Sequence, residues 1–436
     1  MALSIAQFLA SGPATSKQIQ EATGLNQTAV SRQLRAMGES IVRLPGGRSP
    51  KYAMTRNAFG ADNQLPLYEI DAHGNSVAVA MVRPLSPEGF LVQPLTGMSP
   101  VLLGDNETGL YDDLPYFLDD LRPQGFLGRQ IAEEMSEQSD EFPPDPRRWN
   151  ANHVGRYLVS NGDDLPGNFK FGQQALLRVR RQPESVSIQD YPALADDVMN
   201  GVIPGSSAGG EQPKFTAYCG DISAHVIVKF SPSGSDPIAR RWRDVLVTEY
   251  HAAEALHSLE FPAAETRLHE VGGRLFLESQ RFDRTGEYGR MSTISLQAVD
   301  AEFVGLGSSW PRVMDALHER GLVSGEHVFD ALFLWCFGCL INNTDMHLGN
   351  LSLRIDGQVF RLLPVYDMCS MGFAPKSGEV NPYAFNPPDI SSSILPSNSF
   401  KAVKELAYQF WEDIRKDERI SDEFREFLNR GNPLDS

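Results

Sequence analysis

The 436-residue sequence predicts an α+β protein in three parts. A small helical module with a two-stranded wing comes first, then a β-rich lobe, then a larger lobe that is mostly helical. Three observations lead there. Residues 1–40 show apolar spacing of helical period with capping residues between segments; strand-like alternation with Gly and Pro punctuation begins near residue 60; and FDALFLWCFGCLIN, near residue 335, is a helix apolar nearly all round, hence buried. The expected boundaries are 1–60, 61–190 and 191–436. At this length two or three domains are the prior, and 41% apolar with 22% charged residues is the composition of a folded soluble chain.

The first module reads in order as three helices and a wing. SIAQFLASG has helical spacing at Ile5, Phe8 and Leu9; Thr15 or Ser16 caps SKQIQEATG, which Gly24 ends; Asn26 caps QTAVSRQLRAMG. IVRL and KYAMT then flank PGGRSP as a wing with a basic tip. Gln27, Thr28, Ser31, Arg32 and Arg35 point away from the core of the third helix, as side chains that read base edges and phosphates must. Arg43, Arg48 and Lys51 suit the wing's contacts with the duplex. Residues 1–57 carry seven Lys/Arg against two Asp/Glu, whereas the remainder carries 32 against 54. A basic module on an acidic body points to DNA as the partner of the first domain. A winged helix used only for protein contacts is the alternative. The stretch resembles bacterial winged helix-turn-helix domains of the MarR or ArsR kind.

SVAVAMVRP and GFLVQPL supply strands of the middle lobe, and DLPYFLDDLRPQGFLGRQIAEEM a turn into an amphipathic helix. No apolar run spans a bilayer, and MALSIAQFLASG lacks the basic start of a signal peptide. Four cysteines make no disulfide framework, so a reduced, cytoplasmic protein with no membrane partner is expected. Cys336 and Cys339 lie inside the apolar helix and read as core, not zinc ligands.

The chemistry gathers in four later pieces. IPGSSAGGEQPKF is a loop whose Gly205, Gly209 and Gly210 let backbone N–H groups approach phosphate. HVIVKF is a β-branched strand carrying Lys229, and VLVTEYHAAEAL a helix with Glu249 near its start; a strand lysine paired with a helix glutamate aims at nucleotide phosphates. RLFLESQRFDR leads a strand into Gln280, Arg281 and Phe282, where an adenine edge could be read and an aromatic ring packed against it. Last comes INNTDMHLGN. Asp345 and Asn350 are five positions apart, the Asp-x-x-x-x-Asn separation of a phosphotransferase catalytic loop, and LSLRI and QVFRLL flank Asp356-Gly357 as a hairpin before VYDMCS delivers Asp367. In this order Asp345 accepts or orients the acceptor's hydroxyl proton, His347 supports the loop, and Asn350 and Asp367 offer hard oxygens to Mg²⁺ beside ATP phosphates. Each piece alone has an ordinary structural reading; the four in sequence do not.

That order resembles the HipA family of bacterial serine/threonine kinase toxins over roughly residues 65–430, on PYFLDDLRPQG, SSAGGEQPK, NTDMHLGN and YDMCS. The resemblance implies a two-lobed, protein-kinase-like fold with ATP and Mg²⁺ as cofactors. It implies that Lys229 contacts the phosphates and that a loop serine is autophosphorylated as a brake, Ser206 by alignment or Ser207 beside it. The implied outcome is growth arrest through a phosphorylated protein, which in the family can be an aminoacyl-tRNA synthetase; a homodimer is one assembly compatible with the sequence. HipA proper has no winged helix; the fused domain resembles the YjjJ-like branch, where DNA binding resides in the same chain rather than in a separate antitoxin. Two other readings stay open: a transcriptional regulator with a nucleotide-sensing, catalytically silent body, and a small-molecule phosphotransferase.

Overall fold

The computed structural model describes residues 3–162, 164–177, 181–200, 212–376, 378–388, 390 and 395–435. Its first domain contains α1 (Ile5–Leu9), β1 (Ala14–Thr15), α2 (Ser16–Thr23), α3 (Gln27–Ala36), β2 (Ile41–Leu44) and β3 (Lys51–Met54). Capping residues set the helix starts: the Ser4, Thr15 and Asn26 side chains each accept a backbone N–H of the following helix, and Gly24 ends α2 in the left-handed region at φ +71°. Ile5, Leu9, Ile19, Val30 and Leu34 meet in a small core. The wing pairs Ile41–Leu44 against Lys51–Met54, and β1 adds a third strand on the far side of β3.

The β-rich lobe is a five-stranded antiparallel sheet in the order β7 (Leu110–Tyr111), β6 (Phe90–Pro94), β5 (Ser76–Pro84), β4 (Leu65–Ile70), β8 (Phe169–Phe171). Between β7 and β8 come α4 (Tyr116–Asp119), α5 (Gly125–Gln138) and α6 (Ala151–Asn161). The wing docks on this lobe: Val42, Leu44 and Ala53 bury against Leu85 and Leu91. The connecting segment is equally fixed. Phe59 and Gly60 form a tight turn at φ +61° and +74°, closed by Ala61 N–H to the Ala58 carbonyl at 2.9 Å. A left-handed Phe persists only where its surroundings hold it; here the ring stacks on Phe90 at 5.7 Å and meets Phe171 at 6.0 Å. Gly155 of α6 is what makes room, since a Cβ there would lie 2.3 Å from Phe59 Cε1. Gly155→Val should therefore destabilise the chain by about 1–3 kcal/mol through overpacking. An unchanged midpoint in chemical denaturation would show that this contact is not restrictive.

Helix α7 (Gln173–Leu176) packs back on α6, β4 and β8 of the β-rich lobe, and the last part begins with β9 (Ser185–Val186) and α8 (Tyr191–Asn200). Its main sheet orders β12 (Thr266–Val271), β13 (Arg274–Gln280), β11 (Ala224–Phe230), β10 (Lys214–Cys219) and β9. Helix α9 (Pro237–Ser258) packs on it. The sequence reading started this helix at Val245 and placed Glu249 near its beginning; the structure starts it at Pro237, so Glu249 is mid-helix. Asp236 caps it by accepting Ile238 N–H at 2.9 Å, and Pro237 fills the first position, where no N–H is needed. After the hairpin β14 (Arg284–Thr285) and β15 (Gly289–Arg290), strand β16 (Ile294–Ser295) joins β17 (Ser352–Asp356) and β18 (Val359–Leu362) in a small sheet. Helices α10 (Leu296–Phe303), α11 (Trp310–Glu319), α12 (Gly325–Leu340), α13 (Ser397–Lys416) and α14 (Asp422–Asn429) complete a helical lobe. Asp356 pairs with Val359 inside the hairpin, so its turn is Gly357-Gln358 rather than Asp356-Gly357. Among the described residues no helix is long and apolar enough to cross a membrane.

Candidate active site

Lys229 projects from β11 where the five-stranded sheet of the last part, one lobe of that part, faces its helical lobe; its side chain is 8% exposed. Its Nζ donates to both carboxylate oxygens of Glu249, at 2.6 and 2.7 Å, and also to Asp367 Oδ1. One ammonium thus serves two carboxylates. Burial opposes the charge on Lys229, but Asp367 and Glu249 outweigh it and hold its pKa above the usual lysine value. Burial likewise opposes ionisation of Asp367, yet Lys229 and Lys214 bring its pKa down to about 2. Glu249 goes the other way: burial raises it despite Lys229, and Asp367 adds to the rise.

A cleft of about 210 Å³ opens beside this group, lined by Lys229, Glu249, Gln280, Phe282, Tyr366 and Asp367, among others. The Phe282 and Tyr366 rings, 5.7 Å apart, form an aromatic wall. Gln280 is the exposed last residue of β13. Arg281 follows, buried, and ties this hinge to the β-rich lobe: Nη1 donates to Asp164 at 2.8 and 2.9 Å while Nε donates to Asp283 at 3.0 Å.

The segment after α12 is a shaped loop. Asn343, buried, accepts Asp345 N–H on Oδ1 at 3.0 Å, and Asn350 Nδ2 donates to the Asp345 carbonyl at 2.7 Å. Those two bonds hold the Asp345 backbone while its carboxyl stays half exposed. His347 accepts Gly349 N–H on Nδ1 at 3.1 Å, and its Nε2 lies 3.9 Å from Asp345 Oδ1. Trp310 Nε1 donates to the His347 carbonyl at 2.8 Å, and the Tyr366 hydroxyl donates to the Gly349 carbonyl at 3.1 Å. Gly338 in α12 lets the loop close, because a Cβ there would meet Met346 Sδ at 2.3 Å. Asp345 does not line the 210 Å³ cleft, but it is within reach of the same charges. Burial raises its pKa first of all; His347 opposes this and Asp367 adds to it.

Asp367 itself adopts φ +53°, a conformation a non-Gly residue holds only under constraint. Ser370 supplies the constraint three residues on: its Oγ donates to the Ile341 carbonyl at 2.7 Å and its N–H to Thr248 Oγ1 at 3.0 Å. Asn350 uses its amide nitrogen internally, which leaves Oδ1 as the atom it could offer a cation. Asn350 and Asp367 could hold a hard cation only with oxygens from elsewhere, and no group of three or more His, Cys, Asp or Glu among the described residues could hold one unaided. Cys336 is buried and Cys339 half-buried, both free.

Three residues the sequence reading passed over belong here. Lys214 stands directly opposite Lys229 across the β10–β11 ladder and acts on Glu249, Asp345 and Asp367. Asn343, read only as a helix end, positions Asp345; Trp310 positions His347. Ser206, Ser207, Gly209 and Gly210 lie outside the described residues. In the first domain Gln27, Thr28, Ser31, Arg32 and Arg35 are all exposed on α3, and Arg43, Arg48 and Lys51 on or beside the wing strands.

The chain matches three families: the arsR family of bacterial regulatory proteins over residues 2–40, the YjjJ-like toxin middle domain over 61–180, and the HipA-like C-terminal domain over 206–428. It is 34% identical over 430 residues to Toxin YjjJ of Escherichia coli (strain K12), an alignment covering 97% of this chain and 94% of that protein. In fold it is similar to HipA from the Shewanella oneidensis MR-1 toxin–antitoxin system, a structure that also holds HipB and operator DNA. That match has a TM-score of 0.58 and 15% identity, over 84% of this chain and 94% of the other. The chain belongs to the HipA-like toxins, in the YjjJ-like branch that begins with a helix-turn-helix domain.

Proposed function

We propose that this toxin is an ATP- and Mg²⁺-dependent serine/threonine protein kinase that carries its own DNA-binding domain, arrests growth by phosphorylating a cellular protein, and is limited by autophosphorylation at Ser206 or Ser207. The observation that supports it most is the shared Lys229 ammonium. Glu249 fixes it from mid-helix, Asp367 faces it from the opposite lobe, and an aromatic-walled cleft opens beside both. Lys229 and Lys214 would neutralise phosphate oxygens, and Phe282 and Tyr366 would pack the base. Asp345, held by Asn343 and Asn350, would take the hydroxyl proton of the acceptor serine or threonine. Asn350 Oδ1 and Asp367 would hold Mg²⁺, which screens charge between the phosphates and carboxylates when bound. The direct test is transfer of label from γ-labelled ATP to the purified chain and to a proteome fraction, with EDTA as the control; label that appears only on a metabolite, or nowhere, would overturn the reading.

One observation favours the second reading, a nucleotide-sensing regulator without transfer: Lys229 engages the Asp367 carboxylate that a metal would need. Nucleotide binding with no transfer under any Mg²⁺ concentration would decide for it.

For the first domain, the exposed cations of α3 and the wing support phosphate contacts with a duplex. Arg32→Ala combined with Arg35→Ala should weaken DNA binding and lower the slope of log K against log salt by about 1 per phosphate contact removed. An unchanged slope would place the DNA face elsewhere.

A further inference from the structure

We infer that the cleft between the connecting segment and the β-rich lobe is a binding site for a small organic anion, distinct from the nucleotide cleft and independent of the kinase reading. Its volume is about 1000 Å³ and it is lined by residues 56–62 of the connecting segment together with α6, α7 and β4. The floor is apolar: Phe59, Leu65, Phe142 and Val159 are each at most 6% exposed. Carboxamides face it from the walls, among them Asn57, Gln64, Asn152 and Gln174. An apolar base with a few converging polar groups is the usual make-up of a small-molecule pocket.

Arg56 gives the site its sign. Its Nε donates to the Leu85 carbonyl at 2.9 Å and its guanidinium lies 5.8 Å from the Phe90 ring centre, so the group is held in place from one side. Among the described residues Nη1 and Nη2 have no acceptor. A fixed guanidinium with both terminal NH₂ groups unused is pre-organised for a carboxylate or phosphate. The other charges of the cleft do not compete for that role: Arg156 is paired with Glu141, and Asp62 is exposed. The wall formed by residues 56–62 is also the segment that joins the first domain to the body, so a ligand here would touch both.

The test is calorimetry on the full chain with citrate as the carboxylate probe, ribose 5-phosphate as the phosphate probe and ribose as the neutral control. At least one anion should bind and ribose should not; whichever binds identifies the source of the anion. Arg56→Gln should weaken binding about tenfold or more, as the loss of a charge-assisted bidentate contact would. Because Arg56 also anchors the junction, Asn152→Asp is the second variant. Asn152 is exposed and in the first turn of α6, where a carboxylate is tolerated, so the fold stays intact while the added charge repels the ligand. The proposal fails if neither anion binds more tightly than about 1 mM, if Arg56→Gln or Asn152→Asp binds like the parent, or if an excess of a non-hydrolysable ATP analogue displaces the anion, which would put it in the nucleotide cleft.

Discussion

Asparagine at position 345 is expected to lower phosphotransfer by about 10²–10⁴-fold, the usual contribution of a positioned general base, with nucleotide affinity nearly unchanged. The substitution keeps shape and the Asn343 and Asn350 bonds, both of which go to the Asp345 backbone. What it removes is the carboxylate proposed to receive a proton, and Asp345 lies outside the cleft that would hold the base and ribose. A pH profile adds a second readout. The Asp345 pKa is raised, chiefly by burial, so the protonated, inactive form persists to higher pH than for a free aspartate. Transfer by the parent chain should rise with pH through that raised value, and the residual transfer of the variant should lose this limb. Label transfer within tenfold of the parent would remove Asp345 from the chemistry.

The largest effect on stability is expected from Lys229→Met. Removing one partner of a buried ionic group typically costs about 3–5 kcal/mol, because the remaining charge has nothing to balance it. Here the remainder is worse than usual: Glu249 and Asp367 would face each other across the space the ammonium filled. Changing Glu249 to Leu in the same chain should restore much of the loss, which makes the pair strongly non-additive. The pH dependence has a sign. In the parent, Asp367 has a folded pKa of about 2, below its unfolded value of about 3.9. It therefore contributes stability that is present above the unfolded value and fades as pH falls toward 2. In Lys229→Met the two carboxylates repel and both pKa values rise, so acidification relieves the strain. The stability gap between parent and variant should narrow from pH 7 to pH 4. A gap that stays constant, or a double variant no more stable than Lys229→Met, would mean that the carboxylates are not confronted.

Much of this could be read from the sequence because the relevant signals are local. Caps at Thr15 and Asn26, the alternation around Lys229, and the five-residue step from Asp345 to Asn350 are each contained in one short segment. What was not legible depends on contacts between distant segments. Lys214 gains its place only through the β10–β11 register, which a single sequence does not print. Trp310 reaches His347 from 37 positions away. Asn343 looked like a helix end because the helix does end there; its second task, holding the Asp345 N–H, needs the fold of the loop. Glu249 reads as near a helix start because the apolar run at Val245 is a stronger local signal than the Asp236-Pro237 cap that begins the helix.

The turn at Phe59 bears on what happens when the first domain is held by DNA. A flexible tether would let the rest of the chain swing through a wide volume and present its cleft in any orientation. With the wing seated on Leu85 and Leu91 and Phe59 locked against Gly155, the body instead inherits a fixed bearing from the duplex. If the chain binds a symmetric operator in two copies and transfers phosphate as proposed, their clefts would point in directions set by the spacing of the half-sites, and DNA geometry would decide which large acceptors reach them.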